Sequence, residues 1–241
     1  MASKKRELTL SPRLEETRNE RHISTPIQFS LDQIKEHFSE SMEEIKKQLI
    51  IADHVRDDGN DAACKTIWRS QIVLAEGILD FYIHEISKYC LARMFSGVWE
   101  KSERYYTFQV PMKEVEQAIY ASKPNSWFFD YLNERFKRDV YLSQESMKDQ
   151  LNLIGIGFKD AMLKAFPDPN GKESISRAKN IIKELFKRRN EIAHQLDRSH
   201  ASAEQNDITK EYVEDYISKV EAIVNAIHDV AEEKDNEQLI E

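Results

Sequence analysis

From Ser30 onward, apolar residues return at helical intervals. Ile34, Phe38, Met42, Ile45 and Leu49 follow one another at spacings of four, four, three and four. That spacing lays one apolar stripe along an amphipathic helix. Ser30 stands in the N-cap position, and Asp57-Asp58-Gly59-Asn60 stops a helix that runs to about Val55. A longer helix is predicted from about Asp61 to Phe95, with Ile67, Trp68, Ile72, Ala75, Leu79, Tyr82, Ile86 and Tyr89 as a broad apolar face. A face of that width marks a helix packed on several sides. Glu76 and Gly77 interrupt it. Glu76 reads either as a residue of the solvated face or as a carboxylate aimed into a polar site, and Gly77 reads as a point where a neighbour approaches closely.

Beyond Ser96 the pattern is mixed. Phe108-Gln-Val-Pro-Met reads as extended chain leading into a helix from Pro111 through Ala121, proline being at home in a first turn. Trp127, Phe128, Tyr131, Leu132 and Phe136 fall at helical spacing and read as core rather than as a base-stacking platform. Ser143 caps a further helix through Leu151 and Ile154. Gly155 and Gly157 break the chain before Phe158 to Phe166, and these two glycines lack the other elements of a phosphate-binding loop. Pro167-Asp-Pro-Asn-Gly171 is a loop, and Ser174 caps a helix to about Leu196 with Ala178, Ile181, Ile182, Leu185, Phe186 and Ile192 facing inward. Ser199 to Asn206 is polar and loop-like. Thr209 caps a last helix striped by Val213, Ile217, Val220, Val224, Ile227 and Val230, followed from Glu232 by an acidic, frayed tail. The sum is an all-α bundle of five to seven helices, divided into a flexible arm (1–29), an N-terminal helix (30–58), a helical domain (60–232) and an acidic tail (233–241).

Charge adds a location to this outline. The chain of 241 residues carries a net charge of −8. Residues 203–241 hold twelve acidic and three basic side chains, whereas Lys172 to Arg189 holds seven basic and two acidic ones. The deficit therefore sits at one end, and a basic stretch precedes it that suits a polyanion. Within that stretch Lys183, Lys187 and Arg188 are the candidates for RNA contact. Cys64 and Cys90 form no CxxC pair, which points away from disulfides and zinc and towards a reducing cytosol. No apolar run approaches the roughly 20 residues of a membrane span, and no apolar segment follows the basic start as in a secretion signal. A soluble cytoplasmic protein with no metal or other cofactor is expected.

The candidate chemistry lies in Arg189-Asn-Glu-Ile-Ala-His194. Asn190 and His194 are i,i+4 neighbours on a helix, while Arg189 lies about 140° from His194 with a side chain long enough to swing across. Imidazole suits proton transfer near neutrality, and guanidinium offers a fixed planar cation for phosphate oxygens. The combination fits cleavage of an RNA phosphodiester by its own 2′-hydroxyl, without a metal. That reaction needs two proton-transfer groups and the motif supplies one, so a two-fold dimer bringing two copies of His194 together is part of the expectation.

The same six residues resemble the signature of the HEPN superfamily: Arg, a polar residue that is often Asn, then His after four to six positions. The setting agrees, with Leu74-Ala-Glu-Gly77 on an early helix and a closing helix introduced by Asp207-Ile-Thr. The closest resemblance is to the RiboL-PSP or MAE-type HEPN branch, over roughly residues 60 to 232. It implies a helical bundle, usually dimeric, acting as a metal-independent endoribonuclease in toxin–antitoxin or anti-phage systems. Arg189 and His194 would be the catalytic pair, Asn190 their polar companion, and Glu76 an acidic support. An antitoxin or another defence-system protein would be a partner. Some toxin members carry a tyrosine two positions after the histidine as a modification site; here Leu196 stands there. Two other readings compete: a non-catalytic helical dimer that binds a nucleotide or protein, and a structural helix whose Arg189 merely pairs with a carboxylate such as Asp197.

Overall fold

The computed structural model describes residues 27–120, 127–168 and 175–238. Most of the expected arm, Ala121, the end of the Pro167 loop and the Ser174 cap lie outside the described residues. Within them the chain forms eight α-helices: α1 (Leu31–Asp57), α2 (Asp61–Phe95), α3 (Met112–Tyr120), α4 (Trp127–Phe136), α5 (Gln144–Leu153), α6 (Phe158–Ala165), α7 (Ile175–Gln195) and α8 (Lys210–Gln238). A 3-10 turn at Tyr105–Thr107 comes just before the stretch from Phe108 read as extended, which leads into α3. The count passes the expected five to seven; Gly155, at φ +75°, divides α5 from α6 at the break read from the sequence. A Cβ there would lie 2.9 Å from both Lys234 Nζ and the Met94 methyl, ends of flexible side chains that can shift, so it is the positive φ that favours glycine. No strand occurs among the described residues; Arg198 and Gln205 make an isolated antiparallel bridge.

The caps expected from the sequence are made. Ser30 Oγ accepts from the Gln33 amide at 3.2 Å, and Gln33 Oε1 accepts from the Ser30 amide at 2.9 Å. This reciprocal pair satisfies donors that a helix start otherwise leaves open. Ser143 and Thr209 accept from Ser146 and Tyr212 in the same way.

The predicted stripe of α1, from Ile34 to Leu49, is buried throughout and joins the core formed by α2, α4, α7 and α8. Each such aliphatic side chain contributes ~1.5–3 kcal/mol by leaving water. α1 runs antiparallel to α2, with Gln71 Nε2 donating to the Ile45 carbonyl at 2.8 Å and Phe38 meeting Tyr82 edge to face. α8 lies parallel to α2: Tyr216 meets Glu76 near one end of their shared length, and Asp235 meets Arg93 near the other.

The second contact corrects the expectation of a frayed tail. α8 continues to Gln238 because Asp235 is held from three sides. Its carboxylate accepts from Trp99 Nε1 at 2.7 Å, from Arg93 Nη2 at 2.8 Å and from the Tyr89 hydroxyl. Those bonds hold its carboxyl below the usual range against the opposing push of burial. A run of acidic residues looked solvated because the partners of one of them lie on α2 and in the turn after it.

Candidate active site

α7 carries the motif and presents two unlike faces. Ala178, Ile182, Leu185 and Ile192 are buried, and at about 100° per residue Arg189 falls among them. His194 lies on the outer side, exposed in the last turn of the helix. The long Arg189 side chain does not swing out to meet it. Asn190 connects the two faces instead: Arg189 Nη1 donates to Asn190 Oδ1 at 2.9 Å, and Asn190 shares its side of the helix with His194. Arg189, Asn190 and His194 thus form a graded series from half-buried to exposed.

Beneath Arg189, on α2, lies Glu76, only 1% exposed. The solvated-face reading of Glu76 is therefore wrong; the polar-site reading describes it. Glu76 Oε1 lies 2.9 Å from the Tyr216 hydroxyl, and that hydroxyl is also 2.9 Å from the Leu185 carbonyl. Burial pushes the Glu76 carboxyl up to about 7, opposed by the Tyr216 hydrogen bond and by the charge of Arg189. One phenolic hydrogen cannot serve two acceptors. When Tyr216 donates to Leu185, a protonated Glu76 can donate to Tyr216, and all three oxygens are then served.

At this site Glu76 Oε2 and Arg189 Nε are buried and make no hydrogen bond among the described residues. They belong to groups that attract each other through space without forming an ion pair. Asp80, one turn further along α2, also feels Arg189. Burial raises its carboxyl, and a 2.8 Å hydrogen bond from the Tyr141 amide together with His84 and Arg189 pulls the other way.

A pH dependence follows. Glu76 titrates near 4.5 when unfolded, so in the folded chain it holds its proton to higher pH. Its contribution to stability is full below about 4.5 and is lost as pH rises through about 7. Glu76→Gln, which cannot ionise, is expected to flatten this slope and gain on the wild type by about 1–3 kcal/mol between pH 5 and 8. Urea unfolding of both proteins at the two pH values measures it. Parallel pH dependence would mean that Glu76 is charged throughout.

The structure reassigns Arg188. Its Nη2 donates to Asp197 Oδ2 at 2.8 Å and its Nη1 to Oδ1 of the same carboxylate. Arg69 Nε reaches Oδ2 at 2.8 Å, and Asn206 Nδ2 reaches Oδ1 at 3.0 Å. Asp197 is 0% exposed. Arg188, expected as an RNA contact, has its guanidinium engaged by a buried carboxylate, and it is Arg188, not Arg189, that pairs with Asp197. Lys183 and Lys187 remain exposed on the outer face of α7, with Lys187 3.7 Å from Glu191. Just past the helix, Leu196 and Asp197 take φ of +50° and +59°. Aspartate tolerates this left-handed conformation better than leucine does, and backbone bonds from the Asp197 amide to the Glu191 carbonyl and from the Asn206 amide to the Asp197 carbonyl hold the turn beside the two arginines.

Sequence reasoning missed Tyr216, Asp80, Arg69 and the role of Asp197. Tyr216 lies within the apolar stripe of α8, where its hydroxyl leaves no mark on the pattern. Large apolar side chains on α2 and just past α7 are exposed. Leu74 is 45% and Phe81 48% exposed on α2, and Leu196, two residues past His194, is 70% exposed. Gly77 between the first two faces open space, which overturns the expected close approach.

Among the described residues no helix is long and apolar enough to cross a membrane, and no group of three or more His, Cys, Asp or Glu side chains could hold a metal ion. No curated protein and no solved structure matches the chain. The model of the family described as RiboL-PSP-HEPN matches residues 36–233, from within α1 to within the last turns of α8. With the motif on α7, the acidic residue on α2 and most of the chain inside that match, this protein belongs to the RiboL-PSP-HEPN family.

Proposed function

We propose that the protein is an endoribonuclease that cleaves RNA by attack of a 2′-hydroxyl, at a site completed by a second copy of the chain, and that it serves as a toxin or anti-phage effector. The observation that carries this reading is the series Arg189–Asn190–His194, with its inner end set over Glu76. His194, exposed, takes or gives the proton. Arg189 steadies the phosphate, Asn190 holds the guanidinium to one side, and Glu76 positions Arg189 from below. The 2′-oxygen bonds to phosphorus as the bond to the 5′-oxygen breaks; one proton leaves the 2′-hydroxyl and one reaches the 5′-oxygen. The products are a 2′,3′-cyclic phosphate and a 5′-hydroxyl end.

One protomer supplies one histidine to a reaction with two proton transfers. Leu74, Phe81 and Leu196 provide the apolar surface that a second copy would cover, and a two-fold pairing would bring the second His194 to the first. Lys183 and Lys187 extend the outer face of α7 towards the strand. These steps are proton transfers and charge stabilisation, which the named side chains supply without a metal.

The test is incubation of the purified protein with single-stranded RNA in excess EDTA, with mapping of the product ends. Cleavage that leaves cyclic phosphate, and that spares a strand with a 2′-deoxy sugar at each cleaved position, is the expected result. Cleavage that EDTA abolishes, or no cleavage of any RNA by a dimeric preparation, would sink the reading and favour the non-catalytic dimer. Expression beside His194→Ala, with growth followed, tests the toxin role.

A further inference from the structure

Away from the motif, a cavity of about 770 Å³ opens between the segment after the 3-10 turn, α4 and α5. We propose that it binds one nucleotide unit carrying a single phosphate. Gln150 lines it, only 5% exposed, and its Nε2 makes no hydrogen bond among the described residues. A buried amide without a partner costs about 1–3 kcal/mol; an acceptor on a ligand, such as a base carbonyl or ring nitrogen, removes that cost. Phe108 and Tyr131 flank the opening with partly buried rings, 6.2 Å apart and steeply inclined, so that one ring can face a base while the other closes its edge.

Two guanidiniums stand at the rim. Arg135 Nη1 lies 2.7 Å from Asp139 Oδ2, and Arg104 Nη1 lies 3.1 Å from Asp149 Oδ1. Both pairs are half-exposed and so contribute about 0–1 kcal/mol each. A phosphate can take over either arginine at little cost. The two aspartates leave the rim neutral, which admits one phosphate and disfavours a polyphosphate tail. The volume lies within the usual range for small-molecule sites. One wall residue links the cavity towards the motif: Tyr141 donates its amide to Asp80, whose carboxyl is influenced by the charge of Arg189. The aromatic stripe of α4 therefore does two jobs, with Phe128, Leu132 and Phe136 in the core and Tyr131 at the opening.

The unit can be a free nucleoside monophosphate or one residue of an RNA strand. Binding is measured without turnover, so the proposal stands or falls apart from the cleavage reading. The four nucleoside 5′-monophosphates, inorganic phosphate and a single-stranded hexaribonucleotide are titrated calorimetrically into the full chain carrying His194→Ala. At least one monophosphate is expected to bind with a Kd below about 1 mM, weakened fivefold or more by Gln150→Leu and by Arg135→Ala. Because the Gln150 amide supports nothing in the fold, the leucine variant should keep its Tm, so that lost binding is not lost structure. Competition between monophosphate and hexamer assigns the site to the RNA strand; independent binding assigns it to a free nucleotide. No monophosphate binding, binding that both variants leave unchanged, or binding no better than that of inorganic phosphate overturns the proposal.

Discussion

His194→Ala is expected to slow RNA cleavage by roughly 10²- to 10⁴-fold, the usual reach of a general acid or base, while leaving the unfolding midpoint almost unchanged. The second half follows from position. The imidazole is exposed in the last turn of α7 and takes part in no hydrogen bond among the described residues, so its removal disturbs nothing else. Arg189→Ala should lose activity to a similar degree, and Arg189→Lys should recover little of it. The bond to Asn190 and the grip on a phosphate both use a planar fork that an ammonium lacks. Single-turnover cleavage at saturating enzyme separates these losses from weaker RNA binding. A His194→Ala rate within tenfold of wild type would remove His194 from the chemistry.

Asp197→Ala is expected to cost about 3–5 kcal/mol of folding stability, the range for removing one partner of a buried ion pair. Two guanidiniums, Arg69 and Arg188, and the Asn206 amide would lose their common acceptor inside the protein. The left-handed turn at Leu196 and Asp197 would keep its backbone bonds but lose its side-chain anchor, so the last turn of α7, and His194 with it, should loosen. Activity should then fall further than stability alone predicts at temperatures where the chain is still folded. Denaturant unfolding gives the first quantity, and cleavage well below the midpoint gives the second. A stability loss under about 1 kcal/mol would mean that the arginines find other partners at no cost.

The helices were legible because their cause is periodic. Each position of the α1 stripe repeats the same fact, that an apolar side chain every three or four residues meets one neighbour. Glu76 repeats nothing. A carboxylate at that position leaves the same trace in the sequence whether it meets water or Tyr216, and Tyr216 is 140 residues away. Arg188 and Arg189 show a finer limit. The two are adjacent and alike, and which of them is internal to an ion pair is decided by a 100° step around α7 and by an aspartate beyond its end. The basic run and the motif both single out α7, but grouping Arg188 with Lys183 and Lys187 treats a run of charge as a single surface. Asp235 misled in the same way, since nothing in an acidic tail distinguishes the one carboxylate that three donors surround.

The parallel course of α8 beside α2 also bears on how the molecule is made. The bonds from Glu76, Arg93 and Tyr89 that join the two helices span between 140 and 146 residues, and contacts of such separation form late, after a long loop has closed. As the chain leaves the ribosome, α2 and then α7 emerge with Glu76 still lacking its hydroxyl partner and Arg93 its carboxylate. Neither can be satisfied until α8 has been synthesised and has docked. The floor beneath Arg189 is thus completed only once α8 is in place, and a chain that still lacks α8 is expected to hold Arg189 over an unfinished site.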